Sequence, residues 1–479
     1  MKMSRFFLKV MALSVLSINL LSCEEDPQLP DNLVAFESAQ LGFTASENEL
    51  TININFSRAA TNAGNINLNF ETNGITYGNE FTTSPAATGN SIAIPIASGT
   101  SQVSFTVLKG SNLLLDGDES VTFSISNVDN GLKLGETTQL VLSFEEILAE
   151  QAIMNINGGG STYPNKVFID LSANRQFAVN RTTWDLGLYM GDDFRVILNS
   201  SNGMMARALN KINLNEVTAA DTVGFGSQLS LGAVFAAALT TPAPAWITEA
   251  KNWIDDPSGD LTKTAMASIS ATDSENMVYI VNRGSGIGTP ATDLGWKKVR
   301  ILRNGNGYKI QHADISATVF EEIQVNKNDS FNFIYISFQN GIVTVEPETE
   351  RWDMAWTGFT NLTPLGPPGS PLIPYYFQDV ILQNRNGVET AELLISNAGT
   401  YEAFGEANLT GVTWLSTQIG IGTKWRSGGG PGAAPAIRSD RFYLVKDADG
   451  NIYKLRFTAL TQDGERGRPQ VEFALVKKG

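Results

Sequence analysis

The segment Thr183-Trp184-Asp185-Leu186-Gly187-Leu188-Tyr189 recurs later in the chain as Arg351-Trp352-Asp353-Met354-Ala355-Trp356. The two Trp-Asp pairs lie 168 residues apart, and Trp246 and Trp414 have the same spacing. Because two anchors share one offset and the strand patterns around them recur in the same order, the chain contains an internal repeat. We therefore predict two tandem β-rich units, over residues 166–325 and 326–479. The tryptophan of each Trp-Asp pair is expected in the core, with its indole N–H bonded locally.

The region before the repeat has the period of two that is typical of half-buried strands. Four segments alternate apolar and polar residues, with Asn, Gly and Ser turns between them: 50–56, 66–70, 103–107 and 121–126. This spacing predicts a β-sandwich over residues 34–147, followed by a linker over 148–165. The predicted fold class is all-β, an N-terminal β-sandwich followed by the two β-rich units.

Composition excludes several classes of function. The 479-residue chain carries 49 Asp and Glu against 34 Lys and Arg, and its formal net charge of −15 would repel a nucleic acid backbone. One cysteine, Cys23, and one histidine, His312, rule out an intrachain disulfide and a bis-His metal site. The strand pattern around His312 indicates a solvated or hydrogen-bonded residue. We expect a binding protein and not an enzyme, since these counts disfavour most hydrolase and metalloenzyme mechanisms, and for the carboxylate glycosidase chemistry that they allow no acidic pair stands out.

The first residues have the pattern of an export signal. Lys2, Arg5 and Lys9 precede an apolar stretch that is too short to span a membrane. The stretch ends in Leu20-Leu21-Ser22-Cys23, which resembles the bacterial lipoprotein cleavage box. That resemblance implies removal of residues 1–22 and diacylation of Cys23, so that acyl chains hold the protein to the outer membrane. The tether over 23–33 begins with acidic residues and is similar to the surface-export signal of Bacteroidetes lipoproteins, although a plain acidic linker has the same composition.

The predicted sandwich resembles Calx-beta domains. The resemblance rests on the acidic segment 115–123 before a late strand and, more weakly, on Tyr77-Gly78-Asn79-Glu80-Phe81. Members of that family often bind Ca²⁺ through carboxylate oxygens, which suit this hard cation. By that resemblance the calcium candidates are Glu47, Asp116, Asp118 and Glu119. The alternative is an acidic turn on an acidic protein.

The C-terminal region, about residues 150–479, resembles the HmuY family. The resemblance rests on the Trp-Asp strands, the closing hairpin over 441–457 and the last strand pair through 464–475. It implies an all-β surface lipoprotein of Bacteroidetes, and characterised members bind heme. The expected function is therefore a surface-anchored ligand-binding module that captures heme or a porphyrin. The alternative is a non-heme structural or interaction lipoprotein that binds a partner protein or a glycan.

The heme ligands that the resemblance implies are incomplete here. Family members ligate the iron with two His or two Met, one of them shortly before the closing hairpin. In unit two that stretch, 424–432, contains no His, Met, Cys or Tyr, whereas the stretch of unit one offers Met266. Candidates for a second ligand are Met277, Met204 and Met205, because a thioether can ligate heme iron. The alternative is that these methionines fill the core.

Overall fold

The computed structural model describes residues 31–43, 47–110, 119–129, 131–144, 148–365, 369–428 and 434–479. Cys23, its tether up to residue 30, Asp116 and Asp118 lie outside these ranges. Within them the protein is nearly all β, which confirms the predicted fold class.

Ten of the described strands form the N-terminal sandwich. They are β1 (Asn32–Phe36), β2 (Gln40–Gly42), β3 (Glu49–Phe56), β4 (Gly64–Asn73), β5 (Phe81–Ser84), β6 (Ser91–Ile96), β7 (Gln102–Lys109), β8 (Ser120–Val128), β9 (Leu132–Leu134) and β10 (Gln139–Ser143). Their two sheets have the orders β5-β7-β3-β1-β9 and β2-β10-β8-β4-β6. In β3 the apolar residues of the alternating pattern are buried, so the sheets enclose one core rich in Phe and Ile.

The remaining strands form the part that we call the β body, residues 151–477. They are β11 (Gln151–Asn155), β12 (Asn165–Asp170), β13 (Arg175–Asn180), β14 (Leu186–Tyr189), β15 (Val196–Leu198), β16 (Met205–Ala208), β17 (Tyr279–Asn282), β18 (Trp296–Asn304), β19 (Gly307–Asp314), β20 (Glu321–Asn326), β21 (Phe333–Ser337), β22 (Gly341–Val343), β23 (Met354–Pro364), β24 (Leu372–Gln383), β25 (Glu389–Leu394), β26 (Arg441–Lys446), β27 (Ile452–Gln462) and β28 (Glu465–Lys477). The first of them, β11, lies inside the predicted linker and pairs with β28.

The described helices are short and lie in the connections. Two are α-helical, α1 (Leu231–Ala238) and α2 (Ile395–Ala398). The 3₁₀ segments are Ser200–Asn202, Leu214–Glu216, Ala219–Thr222, Ala245–Trp253, Leu261–Lys263, Asp273–Glu275, Thr349–Arg351 and Glu406–Asn408.

The β body has an internal symmetry that follows the sequence repeat. Two five-stranded sheets have matching orders, β11-β28-β27-β26-β25 and β20-β19-β18-β17-β16. Two four-stranded sheets also match, β13-β12-β23-β24 and β22-β21-β14-β15. In the latter pair each repeat places its first hairpin against a strand of the other repeat, since β12 pairs with β23 and β21 pairs with β14. The repeats thus exchange hairpins across the predicted boundary at 325/326, which itself stays a prediction.

The aspartates of the two Trp-Asp pairs hold the exchanged hairpins. The backbone N–H of Leu171 donates to Asp353 Oδ2 over 2.8 Å, and that of Phe338 donates to Asp185 Oδ2 over 2.7 Å. Both aspartates are buried. A buried carboxylate that accepts backbone N–H bonds is a strong local constraint. Each Trp-Asp aspartate therefore bonds to the hairpin of the other repeat.

Candidate functional site

A cleft of about 750 Å³ lies between the sandwich and the β body. The sandwich contributes residues near β1 and β3, and the β body contributes β11 and the hairpin of β27 and β28. Amide side chains are frequent in its lining: Gln40, Asn55, Gln139, Gln151, Asn155, Asn157, Asn174, Gln462 and Gln470. Each amide offers both donors and acceptors, so the cleft is suited to a polar ligand that carries many hydroxyl groups.

Polar contacts across the cleft join its two walls. Asn157 Nδ2 donates to Asn55 Oδ1 over 3.4 Å, and Asn174 Nδ2 donates to Ser38 Oγ over 3.1 Å. In each pair one residue belongs to the sandwich and the other to the β body. The walls are therefore held together by neutral hydrogen bonds between side chains.

Glu37 is the carboxylate in the cleft wall with the most distinctive environment. Its Oε2 accepts a hydrogen bond of 3.0 Å from Asn53, whereas its buried Oε1 has no hydrogen-bond partner in the part of the chain that the structure describes. Burial raises the pKa of Glu37 to about 7, although the hydrogen bond from Asn53 opposes the shift. This carboxyl group consequently gains or loses its proton near neutral pH.

Glu47, a predicted calcium ligand, lies in an ion-pair network. Its Oε1 is 2.7 Å from Arg175 Nη1 and 2.8 Å from Arg351 Nη1, and its side chain is 16% exposed. Both arginines belong to the β body, so the pair tethers the sandwich to it. Glu119 is buried directly before β8, where its backbone oxygen accepts a hydrogen bond from Phe144. Across the described ranges, no group of three or more His, Cys, Asp or Glu residues is arranged to hold a metal ion.

The four methionine candidates are not brought together at one site. Met266 is fully buried and Met277 is half-buried, and both line a cavity of about 60 Å³. Met204 and Met205 are buried in two different core clusters. Pockets for drug-sized ligands have roughly 300–1,000 Å³, so the cavity at Met266 does not accommodate a porphyrin without rearrangement. Met204, Met205 and Met266 are core residues, whereas Met277 is only half-buried beside Met266.

Three expectations about polar ring atoms differ from the structure. His312 is 1% exposed, packs against Phe338, and neither ring nitrogen has a hydrogen-bond partner among the described residues. Burial lowers the pKa of His312, so it is a neutral core residue and not a solvated or hydrogen-bonded one. Trp184 and Trp352 are buried as predicted, but neither indole N–H finds an acceptor there. Their rings instead make edge contacts with Tyr335 and Phe168.

The two Trp-Asp aspartates differ in their remaining contacts. Asp185 forms a two-point ion pair with Arg283, whose Nε lies 2.7 Å from Oδ1 and whose Nη2 lies 3.1 Å from Oδ2. Arg283 directly follows β17, and the residue that directly follows the matching strand β26 is Asp447. Burial, followed by the charges of Asp170 and Asp447, raises the pKa of Asp353 well above its usual range. The aspartate of the Trp-Asp pair therefore has a positive partner in the first repeat and negative neighbours in the second.

Sequence reasoning missed the cleft, because its walls combine segments spread along the chain from Leu33 to Gln470. The described residues contain no helix that is long and apolar enough to cross a membrane.

Comparison with known proteins gives one family match. The family model described as HmuY protein matches residues 162–473, about two thirds of the chain. No curated protein matches the sequence. Solved structures that are similar include the apo form of the Calx CBD1 domain, with 12% identity over 24% of this chain and 97% of that chain and a TM-score of 0.21.

Two similar structures come from Bacteroides. A two-domain protein of unknown function from Bacteroides fragilis has 11% identity over 39% of this chain and 74% of that chain, with a TM-score of 0.18. A putative carbohydrate binding protein from Bacteroides ovatus has 11% identity over 90% of this chain and 96% of that chain, with a TM-score of 0.16. The family match covers most of the β body and confirms the resemblance that the Trp-Asp strands and the closing hairpin indicated: the chain belongs to the HmuY family.

Proposed function

We propose that this protein is a lipid-anchored binding protein of the outer membrane that faces the cell exterior and holds a glycan in the cleft between the sandwich and the β body. The observation that carries the proposal is the amide-rich lining of that cleft. Neutral amides match the hydroxyl groups of a sugar as paired donors and acceptors. The HmuY family supports a ligand-binding role at the cell surface.

The unused polar atoms in the cleft wall support the same conclusion. Oε1 of Glu37 has no hydrogen-bond partner among the described residues, and Nε of Arg468, which also lines the cleft, has no hydrogen bond there beyond an ion-pair contact of 3.6 Å with Glu465 Oε2. Buried polar atoms normally have a partner in the protein or in bound water or ligand. A hydroxyl group donates to the first atom and accepts from the second, so a polyol satisfies both.

A cleft-filling variant tests the proposal. The wild-type protein from residue 24 onward is applied to a glycan array, and hits are measured by calorimetry with Ala39→Trp, which fills the cleft, and Ala86→Trp as its matched control. Both alanines are exposed and belong to the sandwich, but only Ala39 lines the cleft. We expect binding to be lost in Ala39→Trp alone. An array without hits, or equal affinities for both variants, would refute glycan binding in the cleft.

The lipid anchor has its own test. Metabolic labelling with a palmitate analogue is expected to mark the wild type and not Cys23→Ala, and the variant is expected to leave the membrane fraction. Protease treatment of intact cells then reports whether the protein faces outward. Labelling of the variant would contradict the anchor.

Heme capture is a second candidate, which membership of the HmuY family favours, and its test is directed at Met266 and Met277, which line one small cavity. Titration with hemin in both oxidation states, followed by absorption, tests this candidate. A saturable Soret band that is lost in Met266→Ala and kept in Met204→Ala would support methionine ligation at this cavity. No band in either state would remove heme from the candidates.

Calcium binding by the sandwich remains a proposal on Asp116, Asp118 and Glu119. Glu47 is the least suitable of the four predicted ligands, because two guanidinium groups already contact its Oε1. Calorimetry with CaCl₂ on the wild type and on Asp118→Asn tests the site, and equal heats would contradict it.

A further inference from the structure

Three charged side chains, Asp379, Arg426 and Arg466, meet near the Tyr163 hydroxyl in the β body; we call these four residues the arginine cluster. Oδ2 of Asp379 accepts a hydrogen bond from Arg466 Nη2 and lies 3.5 Å from both Arg426 Nε and the Tyr163 hydroxyl. None of the four residues lines the cleft. They come from four separate segments of the chain, so the fold and not local sequence brings them together.

The backbone is shaped to aim these side chains. β24 contains a β-bulge at residues 378–379, opposite Gly358 of β23. Asp379 in the bulge has a φ of 55°, and Tyr163 has a φ of 52°. Non-glycine residues rarely adopt this left-handed region, and both strained positions and bulges are frequent next to functional sites. Both residues of positive φ belong to the cluster: Asp379 carries the carboxylate, and Tyr163 contacts it.

The cluster leaves hydrogen-bonding capacity unused. Oδ1 of Asp379, Nε of Arg426 and Nε of Arg466 are buried and donate or accept no hydrogen bond within the described residues. Arg426 as a whole is only 7% exposed and Asp379 is 0% exposed. A purely structural ion pair would satisfy these atoms, because an unpaired buried polar atom is costly. These three atoms are therefore available for hydrogen bonds to a further group.

The charge of the cluster indicates which kind of group. Two guanidinium ions surround one carboxylate, so the cluster carries one excess positive charge. Burial lowers the pKa of Arg426 and raises that of Asp379 in spite of their attraction, which means that desolvation is not fully offset. An anion would offset it. Arginine is the residue best suited to carboxylate and phosphate, since its planar edge donates two parallel hydrogen bonds.

We infer that Arg426 and Arg466 bind a small oxyanion, a carboxylate or phosphate, whose neighbouring hydroxyl group donates to Asp379 Oδ1. Entry is through Arg466, whose side chain is 27% exposed, whereas Arg426 forms the buried side of the site. Asp379 is a positioning residue that holds both guanidinium groups. Acidic sugars and sugar phosphates have the required pair of groups.

Trp425 supplies a signal for the test. Its Nε1 donates to the backbone oxygen of Asp379 over 3.0 Å, and its ring stacks on Phe457 at 4.1 Å. Fluorescence is recorded while the protein is titrated with D-glucuronate or with inorganic phosphate, and sodium chloride at equal ionic strength is the reference. We expect a saturable change with at least one of the two anions and none with chloride. The more effective anion distinguishes a carboxylate from a phosphate ligand.

Variants locate the binding. Arg466→Gln is expected to weaken the affinity at least tenfold, whereas Arg456→Gln, a partly exposed arginine of the neighbouring strand, leaves it unchanged. Arg466→Lys keeps the positive charge without the planar edge and is expected to lose most of the affinity, with circular dichroism as the check of folding. A change that chloride reproduces, no saturable change with either anion, or full affinity in Arg466→Gln would each overturn the inference.

Discussion

Replacing the two Trp-Asp aspartates by asparagine should have different effects on stability, although both aspartates occupy equivalent places in the repeat. Asp185→Asn leaves the Arg283 guanidinium buried without a counter-charge, since Arg283 is 8% exposed and bonds to both carboxylate oxygens. Breaking a buried ion pair from one side typically costs about 3–5 kcal/mol. We expect the free energy of unfolding of the β body to fall by about that amount.

Asp353→Asn is expected to be neutral or stabilising at pH 7. The amide oxygen can still accept the hydrogen bond from the Leu171 N–H, while the negative charge near Asp170 and Asp447 disappears. Because the pKa of Asp353 is raised in the folded state, the folded protein binds more protons than the unfolded chain above about pH 4. Wild-type stability should therefore decline as the pH rises from about 4, and Asp353→Asn should remove this part of the decline.

The measurement is urea unfolding followed by tryptophan fluorescence at several pH values. All eight tryptophans lie in the β body, between Trp184 and Trp425, so the signal reports this part of the protein alone. Asp329→Asn, at an exposed acidic residue, is the matched control. Equal destabilisation by Asp185→Asn and Asp353→Asn at pH 7 would refute the reasoning, because it would mean that only the backbone hydrogen bond matters.

Two further variants test other contacts of the described chain. Glu47→Gln removes the charge between Arg175 and Arg351, and we expect limited proteolysis between the sandwich and the β body to become several times faster, with no change in the exposed control Glu49→Gln. Lys166 is buried and its pKa is lowered to about 8, so the unfolded chain binds more protons between pH 8 and about 10.4 and wild-type stability should rise there by on the order of 3 kcal/mol. Lys166→Met should abolish that rise in urea unfolding, and an unchanged slope would contradict the assignment to Lys166.

The sequence repeat predicted the strand content and the core tryptophans, but it could not predict which strands pair. The pattern around Asp185 is satisfied equally well by a hairpin from its own repeat and by one from the other, because both hairpins present the same alternation of side chains. The choice depends on connections and on contacts such as Phe338 to Asp185, which join residues more than 150 positions apart. Strand β11 was missed for a related reason, since most of its side chains are exposed and its place is set by pairing with β28.

The arginine cluster was harder to predict because Arg426 lies in a stretch at which the repeats differ. Asp185 and Asp353 keep one task, accepting a backbone N–H from an exchanged hairpin, and this shared task is what the repeated motif records. Their other interactions differ: Asp185 pairs with Arg283, whereas Asp353 lies near the negative charge of Asp447. Likewise Arg426 stands in the stretch where the family resemblance implied a heme ligand, and it contacts a carboxylate instead. A repeat preserves the residues that stabilise the shared fold. Binding residues within the repeats are therefore better sought at positions where the two copies differ chemically.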